Sequence, residues 1–405
     1  MRLPMPLKKA SVGVSKRIRA SLESSSWIRR MFEAGNELRR VHGTDAVCDF
    51  SLGNPDVEPP AAFQTALQEV VSATIRRKHG YMPNAGFPEV RELVAGQVRK
   101  EQGVPLTGDS VVMSCGASGA MNSALKALLD PGDEVVVSTP CFMEYAAYVD
   151  NHGGKLVFCE SRPDFDLDVA SLESKIGPRT AALIINSPNN PTGRIYSEST
   201  LRDLAQMLGR ASARFGRAIF LLSDEPYRKL AYDGVTVPGV LGLYPNSIVL
   251  SSSSKDLSLP GERIGYVAVN PAAEEARMLV DGIILATRIL GYVNAPALMQ
   301  RVVGKIQGAS VEVDVYRRKR DRFVGALASM GYAVASPQGA FYLFPKAPGG
   351  DELPLVQALT EERILVVPGR GFAAPGYFRI AYCVDTEVIE RSLPGFQRVA
   401  RRFGV

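Results

Sequence analysis

The chain of 405 residues is predicted to fold as an α/β protein: a seven-stranded, mostly parallel sheet with helices on both faces, plus a smaller α+β domain. Three observations lead there. Between residues 110 and 269, seven short apolar runs alternate with helical stretches. Most of these runs are continuous, as in Ala181-Ala182-Leu183-Ile184-Ile185 and Ala218-Ile219-Phe220-Leu221-Leu222. Strands buried on both faces read this way. After residue 331 the pattern changes to short strands and a terminal helix.

In chain order, residues 21–42 read as helix, because Trp27, Ile28, Met31, Phe32 and Leu38 recur at helical spacing. Asp49 to Pro60 is extended and turn-rich. A helix over 61–76 follows, then a loop from Gly80 to Pro88 and a helix starting near Glu89. The candidate strands are 110–114, 134–138, 155–160, 181–186, 218–223, 247–251 and 264–269, with helices such as 198–214 between them. Residues 275–330 read as long helices, and the charge run Tyr316-Arg317-Arg318-Lys319-Arg320 as a solvated face. Tyr332 to Pro345 is expected to form a hairpin turning at Pro337-Gln338-Gly339. Ile364 to Val367 and Tyr377 to Tyr382 read as short strands, with a helix from about 386. The expected division is 1–60 as an arm packing with the small domain, 61–300 as the large domain and 301–405 as the small one.

Hydrophobic residues at 46% and charged residues at 22% are those of a soluble globular protein. The net charge is +5, and Arg2, Lys8, Lys9, Lys16, Arg17 and Arg19 supply much of the excess. This basic segment reads as a solvated terminus, not a nucleic-acid or membrane contact. It has no apolar core of a secretory signal, and no run in the chain reaches membrane-spanning length. The five cysteines are scattered without a CxxC, as free thiols in a reducing compartment such as the cytoplasm would be. With three histidines in all, a His-rich metal site is not expected.

Five stretches carry chemistry. In Ser251-Ser252-Ser253-Ser254-Lys255, a strand ends in hydroxyls and a lysine, and Arg263 follows eight residues later. A lysine there is a candidate Schiff-base nucleophile, and hydroxyls with an arginine can hold a phosphate. That combination suggests pyridoxal phosphate; a solvated loop is the alternative. Cys115-Gly116-Ala117-Ser118 joins a strand to a helix, where free N–H groups favour a phosphate. Asn186-Ser187-Pro188-Asn189-Asn190-Pro191-Thr192-Gly193 is a rigid turn able to present Asn190. Asp224, before Glu225-Pro226-Tyr227, ends another strand and needs a cation, either a protonated pyridine nitrogen or a structural partner. Arg379 lies inside an apolar strand and needs an anion, either a substrate carboxylate or an internal acid. These stretches lie mainly at C-terminal strand ends, where open α/β sheets bind ligands.

In order and spacing, Asn190-Pro191-Thr192-Gly193, Asp224-x-x-Tyr227, Ser252-x-x-Lys255, Arg263 and Arg379 resemble the motifs of class I/II aminotransferases. These are the fold-type I pyridoxal phosphate enzymes of the aspartate aminotransferase superfamily, and the resemblance runs from about residue 21 to the C-terminus. It implies Lys255 as the lysine that carries the cofactor and then moves the substrate Cα proton. Asp224 would pair with the ring nitrogen, and Tyr227 and Asn190 with the phenolic oxygen. Ala117, Ser118, Ser252, Ser254 and Arg263 would surround the phosphate, and Phe142 would stack on the ring. Gly53 and Arg379 would hold the substrate carboxylate. Tyr81 would reach into the partner subunit's site, implying a homodimer. Ser26-Trp27-Ile28-Arg29 resembles a helix that closes over the substrate. The implied substrates are an amino acid and a 2-oxo acid, in a ping-pong cycle.

Two positions depart from the family pattern: Glu262 stands where a bulky aromatic is common, and Arg370 where a small residue is usual. Arg370 is a candidate for a distal substrate carboxylate, with solvent as its alternative. A β-lyase, a cyclising synthase or an acyl transferase would need the same lysine and phosphate cup. A catalytically silent ligand-sensing domain is the alternative from outside enzymology.

Overall fold

The computed structural model describes residues 13–23 and 27–405. Its central sheet has seven strands: β1 (Val111–Ser114), β2 (Glu134–Thr139), β3 (Lys155–Glu160), β4 (Thr180–Asn186), β5 (Phe220–Asp224), β6 (Ser247–Ser252) and β7 (Gly265–Val269). Their order is β1-β7-β6-β5-β4-β2-β3. β7 is antiparallel to both neighbours; every other pairing is parallel. Every residue of β4 and β6 is buried, whereas the edge strand β3 is mostly open.

The continuous apolar runs have a direct cause. Along β4, Leu183 and Ile185 join the core on one face of the sheet, while Ala182 and Ile184 join the core on the other. Both faces are helix-covered, so neither side chain of an alternating pair meets water. A further core gathers Phe50, Phe341, Phe378 and Phe396 with the helices Val313–Ser329 and Thr386–Phe403. It backs a small antiparallel sheet of Val367–Pro368, Phe378–Ala381 and Tyr342–Leu343, while Cys48–Asp49 pairs in parallel with Ile364–Leu365. Among the described residues, no helix is long and apolar enough to cross a membrane.

Two expectations need correction. The segment 332–345 is not a regular hairpin: Tyr342–Leu343 pairs with Phe378–Ala381, and only an isolated bridge joins Ala333 to Lys346. The Pro337–Gly339 turn instead docks on the large sheet's loops, with the amides of Gln338 and Gly339 both donating to the Gly193 carbonyl at 3.0 Å. The charge run is only half solvated. Lys319 and Arg320 are buried at 7% and 4% exposure, Lys319 against Asp56 and Arg320 against Asp233. Of the helix expected over 21–42, Lys16–Glu23 and Trp27–His42 are helical, and residues 24–26 lie outside the described residues. Residues 1–12 of the basic segment and Ser26 lie outside the described residues, and Arg17 pairs with Asp150 at 2.5 Å.

Candidate active site

The C-terminal ends of β1, β4, β5 and β6 open on one cavity of about 280 Å³. Its floor is built from turns that follow the strands; the small antiparallel sheet supplies Tyr342 and Arg379 as the opposite wall.

One end of the cavity is made for an anion. The helix Gly116–Leu128 starts there without a side-chain cap, so its first N–H groups stay available beside Ala117 and Ser118. Ser252 and Ser254 line the same cavity. Arg263 sits at a left-handed φ of 51°, and its Nη1 and Nη2 donate only to backbone carbonyls, of Pro260 at 2.8 Å and Cys115 at 3.5 Å. Gly116 has φ 74°, and a Cβ there would come within 2.8 Å of the Arg263 guanidinium. Glycine therefore lets backbone and guanidinium converge on one spot.

The middle of the cavity holds an acid with an unused oxygen. Asp224 Oδ2 accepts a 2.6 Å hydrogen bond from the Tyr145 hydroxyl, while Oδ1 is buried without a partner. Burial, with Glu225 nearby, pushes the Asp224 carboxyl up to about 6 despite the tyrosine. An orphaned buried carboxylate oxygen is a site for a cationic N–H. A pyridinium nitrogen would fit it, as a phosphate would fit the serines, the arginine and the helix end. Phe142 lines the same space, edge-on to Tyr145 at 5.7 Å. Tyr227 shares a 2.8 Å hydrogen bond with Tyr342.

Lys255 lies on the short helix Ser253–Asp256 that follows β6. Its Nζ donates to the Gly53 carbonyl at 2.6 Å and stands 5.6 Å from the Phe341 ring centroid. Burial, with Arg379 and Arg263 close by, pulls its ammonium down to about 8. Near neutral pH a useful share is therefore the free amine. Gly53 has no room for a side chain, since a Cβ would run into the Tyr342 hydroxyl.

At the far end is Arg379, 2% exposed and within 4.7 Å of the Tyr342 and Phe372 rings. Its Nη1 donates to Asn190 Oδ1 at 3.0 Å and its Nη2 to the Ser51 carbonyl at 2.6 Å, while Nε is buried without a partner. Among the described residues no carboxylate pairs with it. Asn190 is itself held by a 2.7 Å bond from its amide to Asn186 Oδ1.

The structure thus brings Gly53, Ala117, Ser118, Phe142, Asn190, Asp224, Tyr227, Ser252, Ser254, Lys255, Arg263 and Arg379 to one cavity. Tyr81 is not in it; its side chain is 91% exposed. Ile28 lies in the helix Trp27–His42, and its side chain is not among those described. That helix packs Trp27 and Met31 against the cluster of Phe344, Val367 and Phe372 beside Arg379. Arg370 lies outside the cavity: its Nε donates to Glu352 at 2.8 Å and its Nη2 to Asp351 at 3.1 Å, and it is exposed, so the substrate contact is corrected and the solvent alternative fits. Glu262 is exposed and outside the cavity wall. Tyr145 and Tyr342 were missed. The signals were present: Tyr145 is one helical turn beyond Phe142, and Tyr342 sits in the aromatic run Phe341-Tyr342-Leu343-Phe344.

A family, curated relatives and solved structures match the chain over most of its length. The family described as aminotransferase class I and II matches residues 45–394. The aspartate/prephenate aminotransferase of Thermus thermophilus is 32% identical over 96% of this chain and 99% of its own length. A solved aminotransferase from Eubacterium rectale superposes with a TM-score of 0.93 at 38% identity, covering 97% of this chain and 100% of that one. The aspartate aminotransferase of Thermus thermophilus, solved with maleate, superposes with a TM-score of 0.83 at 29% identity, over 96% and 99% of the two chains.

Proposed function

The chain belongs to the class I and II aminotransferases, enzymes that transfer amino groups, and from that membership we propose that it works with pyridoxal 5′-phosphate. The cycle proposed is ping-pong, taking an L-amino acid to its 2-oxo acid and a second 2-oxo acid to its amino acid. The observation that carries this reading is a single cavity lined by Asp224, Lys255 and Arg379, none of which is ion-paired among the described residues.

In this reading Ser118, Ser252, Ser254, Arg263 and the Ala117 amide hold the phosphate. Asp224 and Phe142 hold the ring, and Tyr227 and Asn190 its phenolic oxygen. When bound, the cofactor supplies an electron sink for the pair left at the substrate Cα. Arg379 binds the α-carboxylate and so presents the Cα–H bond toward Lys255. Lys255 Nζ takes that proton as a general base and returns it as an acid, a role its value of about 8 suits. The relative from Thermus thermophilus is named for aspartate and prephenate. Among the described cavity residues the cations are Lys255, Arg263 and Arg379, so a distal carboxylate would need a cation from elsewhere. The exposed Tyr81 supports a homodimer in which it reaches the partner's cavity. Residues 61–300 would be the large domain, 301–405 the small one and 1–60 the arm joining it. Free cysteines among the described residues favour the cytoplasm.

The test is to load the protein with pyridoxal phosphate and add amino acids singly under single-turnover conditions. One equivalent of 2-oxo acid without ammonia is expected from the true donor. Ammonia release would instead assign a lyase.

A further inference from the structure

The two oxygens of Asp224 have different fates, and one side chain decides which is which. Asn186 Nδ2 donates to the Asp224 backbone carbonyl at 2.8 Å, which fixes the main chain but leaves the carboxylate free to turn. The terminal torsion of an aspartate is broad and two-fold, so it has no strong preference of its own. The Tyr145 hydroxyl supplies the preference. It is 2% exposed and gives its only proton to Oδ2 at 2.6 Å. Oδ1 is left as the unpartnered oxygen.

We infer that Tyr145 is a positioning residue, whose hydroxyl locks the Asp224 carboxylate so that Oδ1 alone meets the ring N–H of the cofactor. This rests on the reading of Asp224 as the ring-nitrogen partner. The placement of Tyr145 supports the role. It belongs to the helix Glu144–Asp150, which follows Phe142 directly, and the two rings meet edge-on with an interplanar angle of 89°. The group that would stack on the ring and the group that orients its nitrogen partner therefore move together. Tyr148, Tyr227 and Glu225 are other ionisable side chains close to Asp224, but Tyr148 bonds to Ser118 and neither Tyr227 nor Glu225 donates to Asp224.

The test is Tyr145→Phe, which keeps the ring and removes the proton. The wild-type and variant holoenzymes are titrated through the visible absorbance band of the bound cofactor, and kcat and KM are measured for the same amino acid. A misaligned carboxylate holds the ring proton less well. The band follows the proton on the lysine–cofactor nitrogen, and a ring less firmly protonated withdraws less charge from it, so the midpoint is expected to move up by about one unit, a tenfold change in that equilibrium. The kcat should fall about 10- to 100-fold, within the range that positioning effects command. The KM should stay within about twofold, because Arg379 is untouched. Thermal melts check that the variant folds; if it does not, Tyr145→His, which returns a donor, is expected to restore folding and part of kcat. An unmoved band with unchanged kcat would reduce Tyr145 to packing. A downward shift with kcat retained would mean that it tunes charge without positioning, and would also overturn the inference. If wild type takes up no pyridoxal phosphate at all, it is the reading of the whole site that fails.

Discussion

Buried charges in this protein come in two kinds. Away from the cavity they are paired: Glu225 with Arg228 at 2.9 Å, Arg320 with Asp233 at 2.7 Å, Lys229 with Asp256 at 3.0 Å, and Lys319 with Asp56. Around the cavity they are not. Asp224 has one tyrosine and one idle oxygen, Arg379 has an amide, a carbonyl and an idle Nε, and Lys255 has a carbonyl. Leaving a buried charge unpaired is costly, so folding alone would not favour it. The opposed signs of the unpaired groups match a ligand that is cationic at a ring nitrogen and anionic at a phosphate and a carboxylate.

Removing the groups on the unpaired side should damage turnover most. Lys255→Ala is expected to lower kcat about 10³- to 10⁴-fold, the upper range for loss of a general base. A rapid-mixing assay showing under tenfold loss would remove Lys255 from the chemistry. Next is Arg379→Leu. Losing one partner of a buried charge pair costs about 2–5 kcal/mol, so kcat/KM should fall about 30- to 4,000-fold, mainly through KM. The comparison breaks if the amino acid KM is unmoved.

Asp224→Asn reverses the sign of the effect, because it is read on the cofactor-free protein's stability. The folded Asp224 pKa is raised, from 3.8 to about 6. Between those values the native state binds more proton than the unfolded chain, so stability falls as pH rises through the window and stays low above it. At about 1.36 kcal/mol per unit, the penalty at pH 7.5 approaches about 3 kcal/mol. The asparagine variant should be about 1–3 kcal/mol more stable than wild type there, with the gain vanishing below about pH 4. Urea melts at both pH values measure it; equal stabilities throughout would mean that Asp224 is not strained. Arg320→Leu tests the paired side. It leaves the Pro337 carbonyl, which Arg320 meets at 3.1 Å, without this partner. A loss of about 1–2 kcal/mol with unchanged KM is expected. A changed KM would tie this pair to the site.

The same division explains what could be read from the residues alone. Most of the seven strands were legible because they are local apolar runs buried on both faces, as β4 is; the open edge strand β3 is the exception. Lys255, Asp224, Asn190 and Arg379 were legible because polar groups at the ends of such runs conflict with their surroundings. What stayed hidden depends on partners distant in sequence. Tyr145 meets Asp224 across 79 positions and Lys319 meets Asp56 across 263, so neither leaves a local pattern. The turn at Pro337-Gln338-Gly339 has hairpin chemistry, but the Gly193 carbonyl outcompetes a strand partner for its amides.

Arg370 should give the smallest effect, and it separates the two kinds of charge most sharply. Its departure from the family pattern suggested a substrate contact, yet it behaves as a paired charge, closing on Glu352, which is fully buried. Arg370→Ala does not strand that acid, because the Gly376 amide at 2.7 Å and the residue 370 amide at 3.1 Å still donate to it. The stability loss should therefore be only about 0.5–1 kcal/mol, that of a partly exposed pair. The ratio of activities on acidic and neutral amino acids should not move, since no cavity contact is lost. A fall of tenfold or more in that ratio would mean that Arg370 leaves Glu352 during turnover. It would then belong with Asp224 and Arg379 among the charges held ready for a ligand.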